Sequence, residues 1–199
     1  MQYFKRLKHG CDPAPLMAEL GGIDAIWAEQ TGRQAAVPVQ KEALAVPLRG
    51  LVKSAQGGRP RRDVHESRWT SGSHRLPLFQ EFLKQVAAEE DGVLGRAKIV
   101  CLPAGRQVYP HSDRGEYYKL RNRYHFVLKS THGSWLKAGD EDVRMQEGEL
   151  WWFDNKAVHE ARNDGQEDRI HLIFDLLPRA LEAQVMRASR KARKASLDA

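Results

Sequence analysis

Apolar positions recur at two different periods along the chain. Within "PAPLMAELGGIDAIWAEQ", residues 13–30, Leu16, Met17, Leu20, Ile23, Ile26 and Trp27 fall at helical intervals. This spacing predicts a helix that breaks or kinks at Gly21-Gly22, where two glycines weaken helical backbone. A second helix is predicted over 76–90 by Leu76, Leu78, Phe79, Phe82, Leu83 and Val86. Between them, from about 37 to 75, prolines and glycines separate short apolar pieces, which predicts strands and long loops rather than a separate domain.

Beyond residue 95 the period shortens. "RAKIVCLPAGRQVYPH", "RYHFVLKS", "SWLKAG", "VRMQEGELWWFDN" and "DRIHLIFDLLP" are apolar or alternating runs separated by Gly, Asp, Asn and Pro. Strands at this density predict an antiparallel sandwich or barrel. The closing "RALEAQVMRASRKARKA" returns to helical spacing. A chain of 199 residues can bury the core of one domain. The organisation expected is a helical and irregular part over 1–95 packed on a strand-rich core over 96–178, followed by a basic helix over 179–199.

Composition narrows the class. Hydrophobic residues make up 41% and charged residues 29%, a soluble globular balance rather than a disordered one. No stretch approaches the ~18 apolar residues that span a bilayer, so no membrane association is expected. No apolar leader follows "MQYFKRLKHG", and the two cysteines, Cys11 and Cys101, have no metal-like spacing. The compartment expected is the cytoplasm. The net charge of +6 gathers in "GRPRR" at 58–62 and "RASRKARK" at 187–194. The second cluster ends a predicted helix, where cations suit the helix dipole. No aromatics interleave with either cluster as a stacking platform requires, which argues against nucleic acid as the partner.

Candidate chemistry begins at "YPHSDRGEYY", residues 109–118. His111 and Asp113 are residues i and i+2, so on an extended chain they share a face. Taken alone the pair is more often a polar turn or a surface pair. With His159, from "WWFDNKAVHEARN", it makes a 2-His-1-carboxylate set, which holds ferrous iron facially and leaves positions open for a cosubstrate and dioxygen. A 2-oxo acid bound at iron needs a fixed cation for its far carboxylate, and the planar fork of Arg169 suits that role. On an alternating strand Arg169, His171 and Ile173 share one face. Arg123 and His125, in "RNRYHF", are again i and i+2 and can seat the near carboxylate. Each also has a plainer reading, His125 as a core histidine and Arg123 as a barrel-edge charge. His132 and His171 read as structural, and Trp151, Trp152 and Phe153 as core and rim aromatics.

Together "LPAGRQVYPHSD", "RNRYHF", "EGELWWFDNKAVHEARNDG" and "RIHLIFD" resemble the aspartyl/asparaginyl β-hydroxylase family of 2-oxoglutarate and iron(II)-dependent dioxygenases, over about residues 96–178. The resemblance implies a mainly β fold with flanking helices, a double-stranded β-helix of jelly-roll, cupin-like type. It implies His111 and His159 as iron ligands, Arg169 as the cation for the distal carboxylate of 2-oxoglutarate, and Arg123 and His125 as its further partners. Asp113 falls where some members lack a carboxylate, so this chain keeps the complete triad. Val100 stands where animal members offer a serine to the cosubstrate.

The function expected is hydroxylation of a C–H bond with Fe(II), 2-oxoglutarate and O2, on a small-molecule or peptide substrate that is polar, such as an amino acid or an Asp/Asn-type residue. Arg114, Tyr117 and Arg68, with Glu116, Tyr118 and Arg49, are the expected substrate contacts, on a loop at the pocket mouth and in the N-terminal part. Two alternatives stand beside this reading. A metal-binding cupin-like isomerase or sensor needs His111, Asp113 and His159 but has no use for Arg169 or Arg123-x-His125. An adaptor working through its basic tail needs none of them.

Overall fold

The computed structural model describes residues 1–23, 25–29, 37–50 and 65–195. The basic run at 58–62 lies outside them. Eleven strands are described: β1 (Phe4–Lys8), β2 (Leu44–Gly50), β3 (Arg68–Trp69), β4 (Gly92–Leu102), β5 (Arg106–His111), β6 (Asn122–Lys129), β7 (Ser134–Ala138), β8 (Glu141–Val143), β9 (Leu150–Phe153), β10 (His159–Asn163) and β11 (Arg169–Pro178). They form a seven-stranded sheet in the order β1-β9-β6-β11-β4-β2-β3 and a four-stranded sheet in the order β5-β10-β7-β8. Every pairing is antiparallel. Two antiparallel sheets with crossovers between them and helices on one outer face make a mainly β jelly roll, a double-stranded β-helix.

The pleat of the large sheet sorts its residues between two cores. Ile170, Leu172, Phe174 and Leu176 of β11, with Ile99 and Cys101 of β4 and Phe126 and Leu128 of β6, join one buried cluster with the helices α1 (Ala14–Gly21) and α2 (Pro77–Glu89). The alternate residues face the small sheet, where Val100, Leu102, Val127 and Phe153 meet Leu136, Ala138 and Ala161. The central strands are therefore buried on both faces, and their near-continuous apolar runs reflect that.

Helix α2 buries Phe79, Leu83, Val86 and Ala87 in one stripe, while Leu78, part of the predicted spacing, stays exposed. It has no side-chain N-cap of its own. The Glu19 carboxylate of α1 accepts instead from the backbone N–H groups of Leu78 (3.0 Å) and Phe79 (3.3 Å), satisfying two orphan donors at the positive end of the helix dipole.

Helix α1 ends at Gly21, with the Gly22 N–H returning to the Ala18 carbonyl, so the interruption expected at the glycines is a stop and not a kink. Other elements differ from expectation. The N-terminal part adds β1, which was not expected, to the large sheet, while β2 and β3 fall within the 37–75 stretch where strands were expected. In β1 only Phe4 is buried, and its charged neighbours hide the strand from a pattern search. Residues Glu116–Lys119 form one helical turn, α3, where a loop was expected. The closing helix, α4, runs over Glu182–Ala195.

Candidate metal centre

His111 closes β5 and His159 opens β10, and the two are direct register partners across the small sheet. Their rings lie 4.3 Å apart between centroids. A register shift follows at once, between His159 and Ala161. Such irregularities re-aim side chains beside sites. Asp113 arrives differently from the extended i, i+2 geometry expected, because β5 ends at His111. Its backbone N–H donates to the Asn155 carbonyl at 2.9 Å, which pins the loop after β5 against the loop after β9. Ligand atoms of His111, Asp113 and His159 then all lie within 4.8 Å of one another.

Protonation suits all three to a metal. A carbonyl only accepts, so the 2.8 Å contact of His111 Nδ1 with the Tyr109 carbonyl and the 3.0 Å contact of His159 Nδ1 with the Ala157 carbonyl place both protons on Nδ1. Each Nε2 keeps its lone pair, the arrangement in which backbone partners fix metal-ligating imidazoles. Burial pushes His159 down to about 4, with Arg123 acting in the same direction against its Ala157 carbonyl bond and the Asp113 carboxylate. Burial opposes the Asp113 charge, but Arg123 and the Asn155 amide outweigh it and hold the carboxyl below its usual range. Two neutral imidazoles and a carboxylate fit Fe(II) as a facial donor set.

Around this cluster lies a charged network inside the fold. Arg123 donates from Nε to Asp175 Oδ1 (2.8 Å) and from Nη2 to Asp175 Oδ2 (3.2 Å). Its Nη1 donates to Asp113 Oδ2, which also accepts from Asn155 Nδ2 at 2.8 Å. Despite full burial, the two carboxylates keep Arg123 well above its ordinary range.

Arg169 is in the opposite situation. It is 3% exposed, and its Nη2 has no hydrogen-bond partner among the described residues. No carboxylate pairs with it there, and burial alone lowers it to about 10. It lines a cavity of about 500 Å³, mouth included, shared with Val100, His111, Arg123, His125 and His159. His125 is neutral, pushed well below its ordinary range by burial and then by Arg169 and Arg123. Its Nδ1 lies 3.2 Å from His171 Nδ1.

The residues expected at the pocket mouth are distributed otherwise. Tyr117 is buried away from the cavity: its hydroxyl accepts from the Arg96 N–H at 2.6 Å, and its ring carries the guanidinium of Arg96 at 3.9 Å and of Arg121 at 4.2 Å. Arg68 pairs with its neighbour Glu66 on the surface. Arg114 is exposed and donates to Ser112 Oγ at 3.0 Å. Arg49 is spent on the carbonyls of Gly95, Ser67 and Leu94. Sequence reasoning missed Asn155 and Asp175. Asp175 could have been found by extending the Arg169, His171, Ile173 face one more step.

Comparison with known proteins agrees with this architecture. Over 110 residues the chain is 26% identical to L-proline cis-3-hydroxylase 1 of a Streptomyces species. That match covers 54% of this chain and 37% of the relative, so it spans little more than a third of the relative's length. An oxidoreductase of the 2OG-Fe(II) oxygenase family from Burkholderia pseudomallei superposes with a TM-score of 0.52 at 11% identity, covering 87% of this chain and 95% of the other. The viral collagen prolyl hydroxylase of Paramecium Bursaria Chlorella virus-1, solved as a 2OG complex, gives 0.53 at 8% identity with the same coverages. At these identities the two structures show a common fold. The family model described as aspartyl/asparaginyl beta-hydroxylase matches residues 59–178, more than half of the chain, and the chain belongs to that family.

Proposed function

We propose that the protein is a 2-oxoglutarate- and Fe(II)-dependent dioxygenase that hydroxylates a C–H bond of a polar substrate, an amino acid or an Asp/Asn-type residue in a peptide or protein. The observation that carries the reading is Arg169, a buried cation without a carboxylate partner among the described residues, lining the cavity that also holds His111 and His159. A buried charge left unpaired is strongly disfavoured, and a dicarboxylate cosubstrate supplies the missing partner.

His111, Asp113 and His159 would hold the metal. Arg169 grips the distal carboxylate through two charge-assisted hydrogen bonds, and His125 donates to the cosubstrate from the adjoining wall. Arg123 orients Asp113 while Asp175 balances its charge. Val100, Val108, Leu136 and Ala161 exclude water from the same space. Fe(II) bound here supplies the oxidative decarboxylation of 2-oxoglutarate by O2 to succinate and CO2, coupled to insertion of one oxygen atom into the substrate C–H bond.

The relative's name connects its activity to a free amino acid, which supports a small polar substrate for this chain. The exposed Arg114, beyond Asp113, is the remaining candidate for a substrate carboxylate. Free thiols at Cys11 and Cys101 agree with a reducing cytoplasm. Among the described residues no helix is long and apolar enough to cross a membrane.

Anaerobic addition of 2-oxoglutarate to the Fe(II) protein tests the reading. A weak visible charge-transfer band is expected, and Arg169→Ala should raise the 2-oxoglutarate requirement about a hundredfold, for two charge-assisted hydrogen bonds lost. Iron binding without the band would favour a cupin-like metalloprotein that is not an oxygenase. Succinate release against a panel of amino acids and peptides then identifies the substrate.

A further inference from the structure

His171 has no part in the proposed chemistry, yet it is 0% exposed and its one contact with a polar side chain among the described residues is another imidazole. It sits on β11 opposite Val127, while His125 sits on β6 opposite Ile173, so the two histidines are diagonal neighbours on one face of the sheet. Their Nδ1 atoms are 3.2 Å apart and their rings stand at 89° to each other. Phe153 packs edge-on against the His125 ring at 5.0 Å, which helps hold its orientation.

Two neutral imidazoles in Nδ1–Nδ1 contact share one proton, so their tautomers are locked in opposite senses. Either His171 donates from Nδ1 and His125 carries its proton on Nε2, or the reverse. The deciding atom is His171 Nε2, which is buried and has no partner among the described residues. The reverse arrangement would put an N–H there with nothing to accept it, and orphaned buried N–H groups are rarer than under-satisfied acceptors. Arg169 lies two residues away on the same face of β11. A neighbouring cation favours a lone pair over a further N–H dipole.

We infer that His171 is a positioning residue: by donating its Nδ1–H to His125 Nδ1, it fixes His125 as the Nε2–H tautomer and turns that ring into a hydrogen-bond donor toward an anion in the cavity. The inference rests on the proposed cosubstrate for the identity of that anion, though the tautomers themselves do not depend on it. Arg169 and His125 then present donors to the same space, and neutrality at His125 carries no acceptor lone pair into it.

Long-range proton–nitrogen NMR of the metal-free protein labelled in its imidazoles reads both tautomers directly. His125 is expected protonated on Nε2 and His171 on Nδ1. A His125 signal protonated on Nδ1 in the unaltered protein would overturn the inference whatever any variant does. Removing the donor in His171→Leu should let the Nδ1–H form of His125 appear and weaken 2-oxoglutarate binding to the Fe(II) protein about tenfold. His171→Asn, whose amide donates from a nearby position, should restore most of both. Unchanged His125 tautomer and unchanged 2-oxoglutarate affinity in a folded His171→Leu would also overturn it. If the unaltered protein shows the stated tautomers but binds no 2-oxoglutarate, the inference about His171 holds and the proposed cosubstrate fails.

Discussion

Asp175 and Arg123 are register partners on β11 and β6, and their side chains close a two-pronged ion pair of 2.8 and 3.2 Å inside the barrel. Arg123 is therefore shared between a carboxylate of the candidate metal centre and one that belongs only to the scaffold. Asp175→Asn would leave a buried guanidinium with half its counter-charge, at a cost of about 3 kcal/mol in stability. The midpoint of urea unfolding measures it. The exposed pair Lys119–Glu116 is the control, and Glu116→Gln should leave the midpoint where it was.

Asn155 holds Asp113 twice, through its carbonyl and through its amide. Replacing it with Ala removes the side-chain bond but keeps the backbone one. Affinity for Fe(II) or Co(II) should fall about 10–100-fold, as for other residues that orient a ligand from behind. An unchanged affinity by titration would separate Asn155 from the metal centre.

The interior histidines set an acid limit. His125, His159 and His171 all have folded-state pKa values below the ordinary 6.5, His159 at about 4. Unfolded histidine takes a proton as the pH falls through about 6.5 while these three do not, so the unfolded state binds more protons and gains. The stability they contribute is complete above that pH and is lost progressively below it. By pH 5 His159 alone accounts for about 2 kcal/mol. Calorimetry of metal-free protein should show a clear fall in the melting temperature from pH 7 to pH 5, and a flat profile would contradict burial of neutral imidazoles.

Gly95 on β4 lies against Tyr117 and Asp175. A Cβ there would sit 3.0 Å from the Asp175 carbonyl oxygen and inside contact distance of the Tyr117 hydroxyl. The carbonyl cannot swing away without bending β11, so Gly95→Ala should destabilise by about 1–3 kcal/mol. An unchanged thermal melt would show that the Tyr117 hydroxyl and the β11 backbone give way at this contact.

What the sequence reveals follows from how far apart the partners stand. Helix α2 and strands β6 and β11 are local patterns, and they appear where the 3.6 and 2.0 periods place them. His111, Asp113 and His159 were legible as a set of residue types, but the loop contact that delivers Asp113 runs through Asn155, which no periodicity marks. The Arg123–Asp175 pair spans 52 positions and depends on the register of two strands. Tyr117 misled because a tyrosine after charged residues looks exposed, while one helical turn rotates it inward against Arg96 and Arg121. Strand β10 escaped notice because it is short and carries His159, Glu160 and Arg162.

The alternation along β11 has a consequence for how such a protein can change. Ile170, Leu172 and Phe174 answer to the helices, while Arg169 and Ile173 line the cavity and His171 between them meets His125 behind its wall. Adjacent residues in one strand are thus under unrelated demands, so the cavity wall can be rewritten for a new substrate without disturbing the helix-side core. A slip of one position would exchange the two sets entire, driving Arg169 into the aliphatic cluster and Leu172 into the cavity. The same strand is permissive to substitution and intolerant of insertion.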